Sequence, residues 1–215
     1  MTRRSRFPDE AFYSAWNKSM NIANTSILAD VGVIHGRFQI LHNDHLKYLM
    51  AGKALCRKLV VGITNPDPAQ TGEDPSAPDR HTPFANPLTY YERMVMVDAV
   101  LRDQGIAPDA FDIVPFPINF PDRYRYYVPL DALFFLTIYD NWGRKKKAYF
   151  ESLGLRTHVL WEVSAEEKGI SAADIRTSIL DNTPWQHLVP PPVVLLMEEW
   201  NISQRLASLS VPPQN

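Results

Sequence analysis

The amino-acid sequence predicts an α/β fold: a parallel sheet of about five strands with helices on both faces. Three observations carry that expectation. Short apolar runs alternate along the chain with stretches whose apolar residues recur at helical spacing. One run, Asp131–Ile138 (DALFFLTI), is apolar enough to be a central strand covered on both sides. The third is Val31–Leu46, VGVIHGRFQILHNDHL, where a β-branched run breaks at Gly36 into a polar turn and a helical pattern begins at Leu46.

The elements follow in order. Residues 1–30 precede the first strand, and Phe12, Trp16 and Met20 recur every four residues, predicting a helix with one apolar stripe. A helix follows the Gly36 turn, carries Cys56 as a buried position and closes on Arg57 and Lys58, cations that suit its negative end. Leu59–Ile63 reads as a buried second strand. Residues 65–87 form a loop with six prolines (Pro66, Pro68, Pro75, Pro78, Pro83, Pro87), with Arg80 and His81 as the polar groups it could deliver. Thr89-Tyr-Tyr-Glu92 is a capping box, and its helix runs through Tyr90, Met94, Val97 and Leu101 to Gly105. Phe111–Pro115 is a third strand, Asp131–Ile138 the fourth, and Thr157–Trp161 the fifth. Asn141 is expected to cap the helix between the last two, and its first turn holds Arg144, Lys145, Lys146 and Lys147. A short helix starts at Ser171, and a final amphipathic helix follows Pro190-Pro-Pro192 through about Leu206. The organisation is thus an N-terminal extension (1–30), one domain (31–207) and a tail (208–215).

Bulk properties narrow the function. The 215 residues are 45% hydrophobic and 21% charged, enough for one α/β domain with a full core. A net charge of −2 argues against general binding to nucleic acid or to a membrane surface. The single cysteine excludes an intramolecular disulfide and suits a reducing compartment. No window is apolar enough to span a membrane, and Arg3, Arg4 and Arg6 precede no secretory apolar core, so a cytoplasmic location is expected.

In a parallel sheet the ligand sits beyond the carboxyl ends of the strands, at the switch point, where the features after strands one, three, four and five would converge. The turn after the first strand gathers Arg37, Gln39, His42 and His45 at a helix start. Unpaired N–H groups and the positive end of the dipole suit a phosphate there. Imidazoles could hydrogen-bond phosphate oxygens as charge develops in phosphoryl transfer, or could bind a metal, although no Cys/His set with zinc spacing accompanies them. Pro121–Tyr127 (PDRYRYY) mixes arginines and tyrosines. Arg123, Tyr124, Tyr126 and Tyr127 are therefore the candidates for holding a second substrate.

Gly36-Arg37-Phe38-Gln39-x-x-His42-x-x-His45 resembles the signature of the nucleotidylyltransferase superfamily, most closely the archaeal-type nicotinamide mononucleotide adenylyltransferases. The resemblance continues through Asn86-Pro-Leu-Thr-Tyr-Tyr-Glu-Arg93 and Ser171-Ala-Ala-Asp-Ile-Arg176, and covers roughly residues 31–201. It implies a Rossmann-like fold. It also implies an enzyme in which an acceptor phosphate attacks the α-phosphorus of a nucleoside triphosphate, releasing pyrophosphate with the help of Mg²⁺ and without a covalent intermediate. His42, His45 and Arg176 would be catalytic, with Arg176 on the departing phosphates. Gly36, Arg37, Phe38, Gln39, Asp44, Asp140, Asn141 and Ser171 would surround the nucleotide. No metal is expected to be held by protein side chains alone. The partners expected are the triphosphate, a small phosphorylated acceptor and further copies of the chain, with neither nucleic acid nor membrane.

The default pair under this resemblance is ATP with nicotinamide mononucleotide. A diverged member using CTP and a small phosphate or phosphonate is the second reading, and a nucleotide-binding protein impaired in catalysis the third. Three departures keep these open. Asp44 replaces the family glycine between the histidines, and Ala173 replaces a threonine. Tyr139-Asp-Asn-Trp142 stands in place of a Ser-Gly-Asn-like turn.

Overall fold

The computed structural model describes residues 26–68, 81–164, 167 and 169–210. The helix expected around Phe12–Met20, Arg80 and most of the proline-rich loop lie outside these residues. Five strands, β1 (Ala29–Gly36), β2 (Cys56–Thr64), β3 (Phe111–Phe116), β4 (Leu133–Ile138) and β5 (Arg156–Glu162), form one sheet in the order β3-β2-β1-β4-β5. Every pairing is parallel, as expected. The helices are α1 (Asn43–Ala54), α2 (Tyr90–Asp103), α3 (Asn141–Ser152), α4 (Ala172–Leu180), α5 (Pro191–Glu199) and α6 (Ile202–Ser210). Among the described residues no helix is long and apolar enough to cross a membrane.

The chain leaves β1 on one side toward β2 and β3 and returns on the other as β4 and β5, so the order reverses between β1 and β4. Only Gly32↔Leu133 and Val33↔Phe134 pair there, and beyond them the carboxyl ends of the two strands part. A crevice opens at this switch point, where ligands of such sheets bind.

Strand pleating sorts the core into two layers. Ile34, Val61, Ile63 and Phe135 pack with Leu46 and Leu49 of α1, Met96 and Val97 of α2 and Ile175 of α4. Val33, Val60, Phe134 and Leu136 pack on the other face with Phe116, Tyr124 and Phe150 of α3.

Local signals explain most helix starts. Thr89 accepts from the Glu92 N–H (3.2 Å) while the Glu92 carboxylate accepts from the Thr89 N–H (2.8 Å). Ser171 and Asp174 repeat the box at the start of α4 (3.2 and 2.8 Å).

Three details differ from expectation. Helix α1 ends at Ala54, so Cys56 is buried as the first residue of β2. Arg57 and Lys58 then lie in that strand and pair with Asp30 (2.8 Å) and Asp112 (2.9 Å) instead of capping a helix. Helix α3 is capped by Asp140, whose carboxylate accepts from the Gly143 N–H (2.9 Å), and Asn141 is its first residue. The single final helix is two, broken at Asn201, which adopts a left-handed φ of 52°. Arg205 of α6 then reaches back in a bidentate pair with Glu92 (2.8 and 2.7 Å).

Candidate active site

The crevice is a cleft of about 920 Å³ over the ends of β1, β2 and β4. Its first wall is the turn Gly36–Leu41. The Phe38 ring folds back over Gly36, where a Cβ would approach it to 2.9 Å, so glycine is required. Phe38 itself is left-handed (φ 52°), a conformation unfavourable for an aromatic residue and held here by full burial of its ring.

Buried polar side chains brace the turn. Gln39 clasps the Leu88 backbone, donating to its carbonyl (2.8 Å) and accepting from its N–H (2.9 Å). Arg93, 2% exposed, donates to the carbonyls of Thr89 (3.3 Å), Arg37 (3.0 Å), Thr64 (2.8 Å) and Asn65 (2.8 Å). It ties the turns after β1 and β2 together. Burial lowers its pKa to about 10, so it stays charged at neutral pH.

His42 is the N-cap residue of α1, and its N–H donates to His45 Nδ1 (3.4 Å). The rings stack with centroids 3.7 Å apart and planes 27° from parallel. A ring nitrogen that accepts carries no proton, so the His45 proton sits on Nε2. Burial pulls His42 down to about 4, against the opposing fields of Asp44 and Asp174. His45 is also pushed well below its ordinary value, by burial first and then by His42 and Arg37. The pair is therefore neutral at pH 7, and His42 Nδ1 is buried without a hydrogen-bond partner among the described residues. Two neutral imidazoles at the positive end of a helix form a site for an anion whose charge would favour their protonated forms.

Of the expected nucleotide contacts, Gly36, Arg37, Phe38, Gln39, His42, Asp44, His45 and Ser171 line the cleft. Asp140 and Asn141 do not; Tyr139 and Trp142 flank them in the lining. Arg176 does not line it either. It lies behind the turn, donating to the Gln39 carbonyl (2.6 Å) and resting over the Phe84 ring at 5.6 Å. In this arrangement it supports the turn, as Arg93 does.

The expected acceptor residues are displaced. Tyr124 is buried in the core, with its hydroxyl donating to the Ile118 carbonyl (2.6 Å), and Arg123 stacks over Phe120 at 4.9 Å. Tyr126 (76% exposed) and Tyr127 (39%) face outward, and none of the four lines the cleft. The short 3₁₀ helix Pro121–Tyr126 turns them away, and Ile118, Asn119 and Phe120 just before it form the wall. The basic run divides as well. Arg144 and Lys147 pair with Glu162 and Glu151, whereas Lys145 and Lys146 line the cleft. His81 is exposed and lies outside the lining.

Asp44 is the one carboxylate among the described lining residues. Its Oδ2 lies against Gly169, where any Cβ would collide with it. The glycine missing between the histidines is thus matched by a glycine facing that position. Among the described residues no three His, Cys, Asp or Glu side chains gather as a metal site. Sequence reading also missed His35, Tyr48 and Thr64 as lining residues, and Arg93 as the brace. The only available signal for His35 was a titratable group within an apolar pattern, whereas Arg93 closes the Asn86–Arg93 stretch that carries the family resemblance.

Comparison with known proteins identifies the family and the fold. A family model described as cytidylyltransferase-like matches residues 33–178. A phosphonoformate cytidylyltransferase of Streptomyces viridochromogenes is 49% identical over 179 residues, covering 83% of this chain and 96% of that one. A nicotinamide-nucleotide adenylyltransferase of Thermococcus sibiricus is 29% identical over 180 residues, covering 83% and 89%. Among solved structures, a bifunctional NMN adenylyltransferase/ADP-ribose pyrophosphatase of Francisella tularensis, complexed with AMP and a manganese ion, superimposes with a TM-score of 0.58 at 16% identity. The match covers 83% of this chain and 52% of that one, about half the neighbour's length, and it shows a shared fold.

Proposed function

The chain belongs to the cytidylyltransferase-like family, and from that premise we propose that it transfers the cytidylyl group of CTP to a small phosphonate or phosphate. Nucleotidyl transfer is the reaction of its relatives. An acceptor oxygen forms a bond to the α-phosphorus, the bond from that phosphorus to the α–β bridging oxygen breaks, and the electron pair leaves with pyrophosphate.

In this reading, His42 and His45 donate hydrogen bonds to the triphosphate at the start of α1, strengthening as charge builds on the phosphoryl oxygens. Arg37 and Lys145, which line the same cleft, add positive charge. Arg93 and Arg176 position the turn without entering the cleft. Asp44, the one carboxylate among the described lining residues, would hold a Mg²⁺ ion bound with the triphosphate, and that ion would supply neutralisation of charge on the phosphate oxygens.

The observation that carries CTP and a small acceptor is the similarity to the Streptomyces viridochromogenes enzyme, which extends over nearly its whole length. A second reading, ATP with nicotinamide mononucleotide, is favoured by the more distant Thermococcus sibiricus relative. Phosphorus NMR of a reaction holding both triphosphates, phosphonoformate and nicotinamide mononucleotide separates them. The proposal expects a mixed anhydride of CMP with the phosphonate. A dinucleotide built from ATP as the sole product would overturn it.

A further inference from the structure

The mechanism above makes no use of His35, the penultimate residue of β1. Pleating places it on the face of β1 opposite Ile34 and α1, beside Val33 and the layer containing Phe116 and Phe150. Its ring lies 5.5 Å from Phe116 and 5.3 Å from Phe150. Only 7% of the residue is exposed, yet neither ring nitrogen has a hydrogen-bond partner among the described residues. A buried polar side chain orphaned at both ends is rare in a folded protein and points to a ligand that completes it. His35 lines the cleft with Thr64, Asn119, Lys146 and Tyr149. Burial first, and then the Lys146 charge, hold this imidazole neutral while no anion is near.

We propose that His35 is the acceptor-specificity residue: with Lys146, it binds a second acidic group on a small acceptor. The preferred substrate class is then a phosphonate or phosphate carrying a carboxylate close to phosphorus. The phosphorus end lies toward His42 and His45, where its oxygen meets the α-phosphorus, and the carboxylate lies between His35 and Lys146. Phe116 and Phe150 close the floor beneath the ring, so discrimination comes from the imidazole N–H and from the ammonium charge. The inference rests on the acceptor class proposed above.

The test compares wild type, His35→Phe and His35→Gln with phosphonoformate, which has the carboxylate, and methylphosphonate, which lacks it. His35→Phe is expected to raise KM for phosphonoformate by roughly 10–150-fold, the range for losing a hydrogen bond to a charged group. KM for CTP and KM for methylphosphonate should stay within about threefold, and His35→Gln, which keeps a donor, should recover most of the loss. In parallel, phosphonoformate is titrated into the full-length wild-type protein without CTP, and the imidazole nitrogen resonances are followed by NMR. His35, assigned by its absence from His35→Gln, should shift at saturation. If His35→Phe does not fold, the titration decides.

Failure of the inference and failure of the proposed function look different. Turnover of CTP and phosphonoformate with KM unchanged in His35→Phe overturns the role of His35 and leaves the function standing. A phosphonoformate-dependent shift of His35 without CTP turnover supports the subsite and overturns the function. A silent His35 resonance, or no binding of phosphonoformate, overturns the inference.

Discussion

The stacked histidines make a quantitative prediction about stability and pH. His42 titrates near 4 in the folded protein and near 6.5 in the unfolded chain, because folding takes its ring out of water. Between those values the unfolded chain binds more protons, so stability is lost as pH falls through the window and is fully present above it. Between pH 7.5 and pH 5.0, the shift to about 4 corresponds to a loss of about 2 kcal/mol from His42 alone. The loss levels off near about 3 kcal/mol once the pH is below both values. His35 and His45 shift in the same direction, and paired carboxylates such as Glu92 add their own losses at lower pH. The perturbation that isolates His42 is therefore His42→Asn, which keeps a polar cap and cannot titrate. Urea unfolding of both proteins at the two pH values gives two losses, and wild type should lose about 2 kcal/mol more than the variant. Equal losses, within about 0.5 kcal/mol, would show that His42 is not held neutral by burial, and the reasoning about the pair would fail with it.

Other consequences follow from the same geometry. His45→Ala should lower kcat by roughly 10²–10³-fold, the scale for removing one donor to developing charge, with little change in thermal stability; unchanged turnover would refute its role. Arg93→Met strips four carbonyls of their donor and should cost about 3–5 kcal/mol in urea unfolding, while a cost below about 1 kcal/mol would mean that the brace is dispensable. Gly169→Ala drives a methyl group into the Asp44 carboxylate and should cost about 1–3 kcal/mol. In the Asp44→Gly background most of that cost should vanish, and additive effects in the double-mutant cycle would show that the two positions do not share space.

What could be read from the chain alone divides along the range of the interactions. The strand and helix alternation and the Thr89 and Ser171 capping boxes depend on neighbours within a few residues, and each was legible. The histidine pair belongs with them, because residues three apart meet at a helix start. His35 and Arg93 were not legible as site residues. One looked like a member of a strand and the other like a polar position on an amphipathic helix. Only the packing of β1 against α3, and of α2 under two strand ends, gives them their roles. The PDRYRYY stretch misled for the same reason: its composition suits ligand binding, but the 3₁₀ turn buries Tyr124 and points Tyr126 outward. Cys56 was assigned to a helix because Leu46, Leu49 and Met50 set a periodicity that runs on past its true end at Ala54. Asp44 was legible as an anomaly, and its counterpart Gly169, 125 positions later, was not.

The central claim is that the stacked histidines serve cytidylyl transfer to a small acidic phosphonate. Pyrophosphate release by the full-length protein, measured with phosphonoformate as acceptor and CTP or ATP as donor, tests it most directly. Turnover with CTP exceeding that with ATP by at least about 10²-fold in kcat/KM, and lowered by His45→Ala by roughly 10²–10³-fold, is the expected result. Equal or faster turnover with ATP, or pyrophosphate formed only when nicotinamide mononucleotide is supplied, would contradict it.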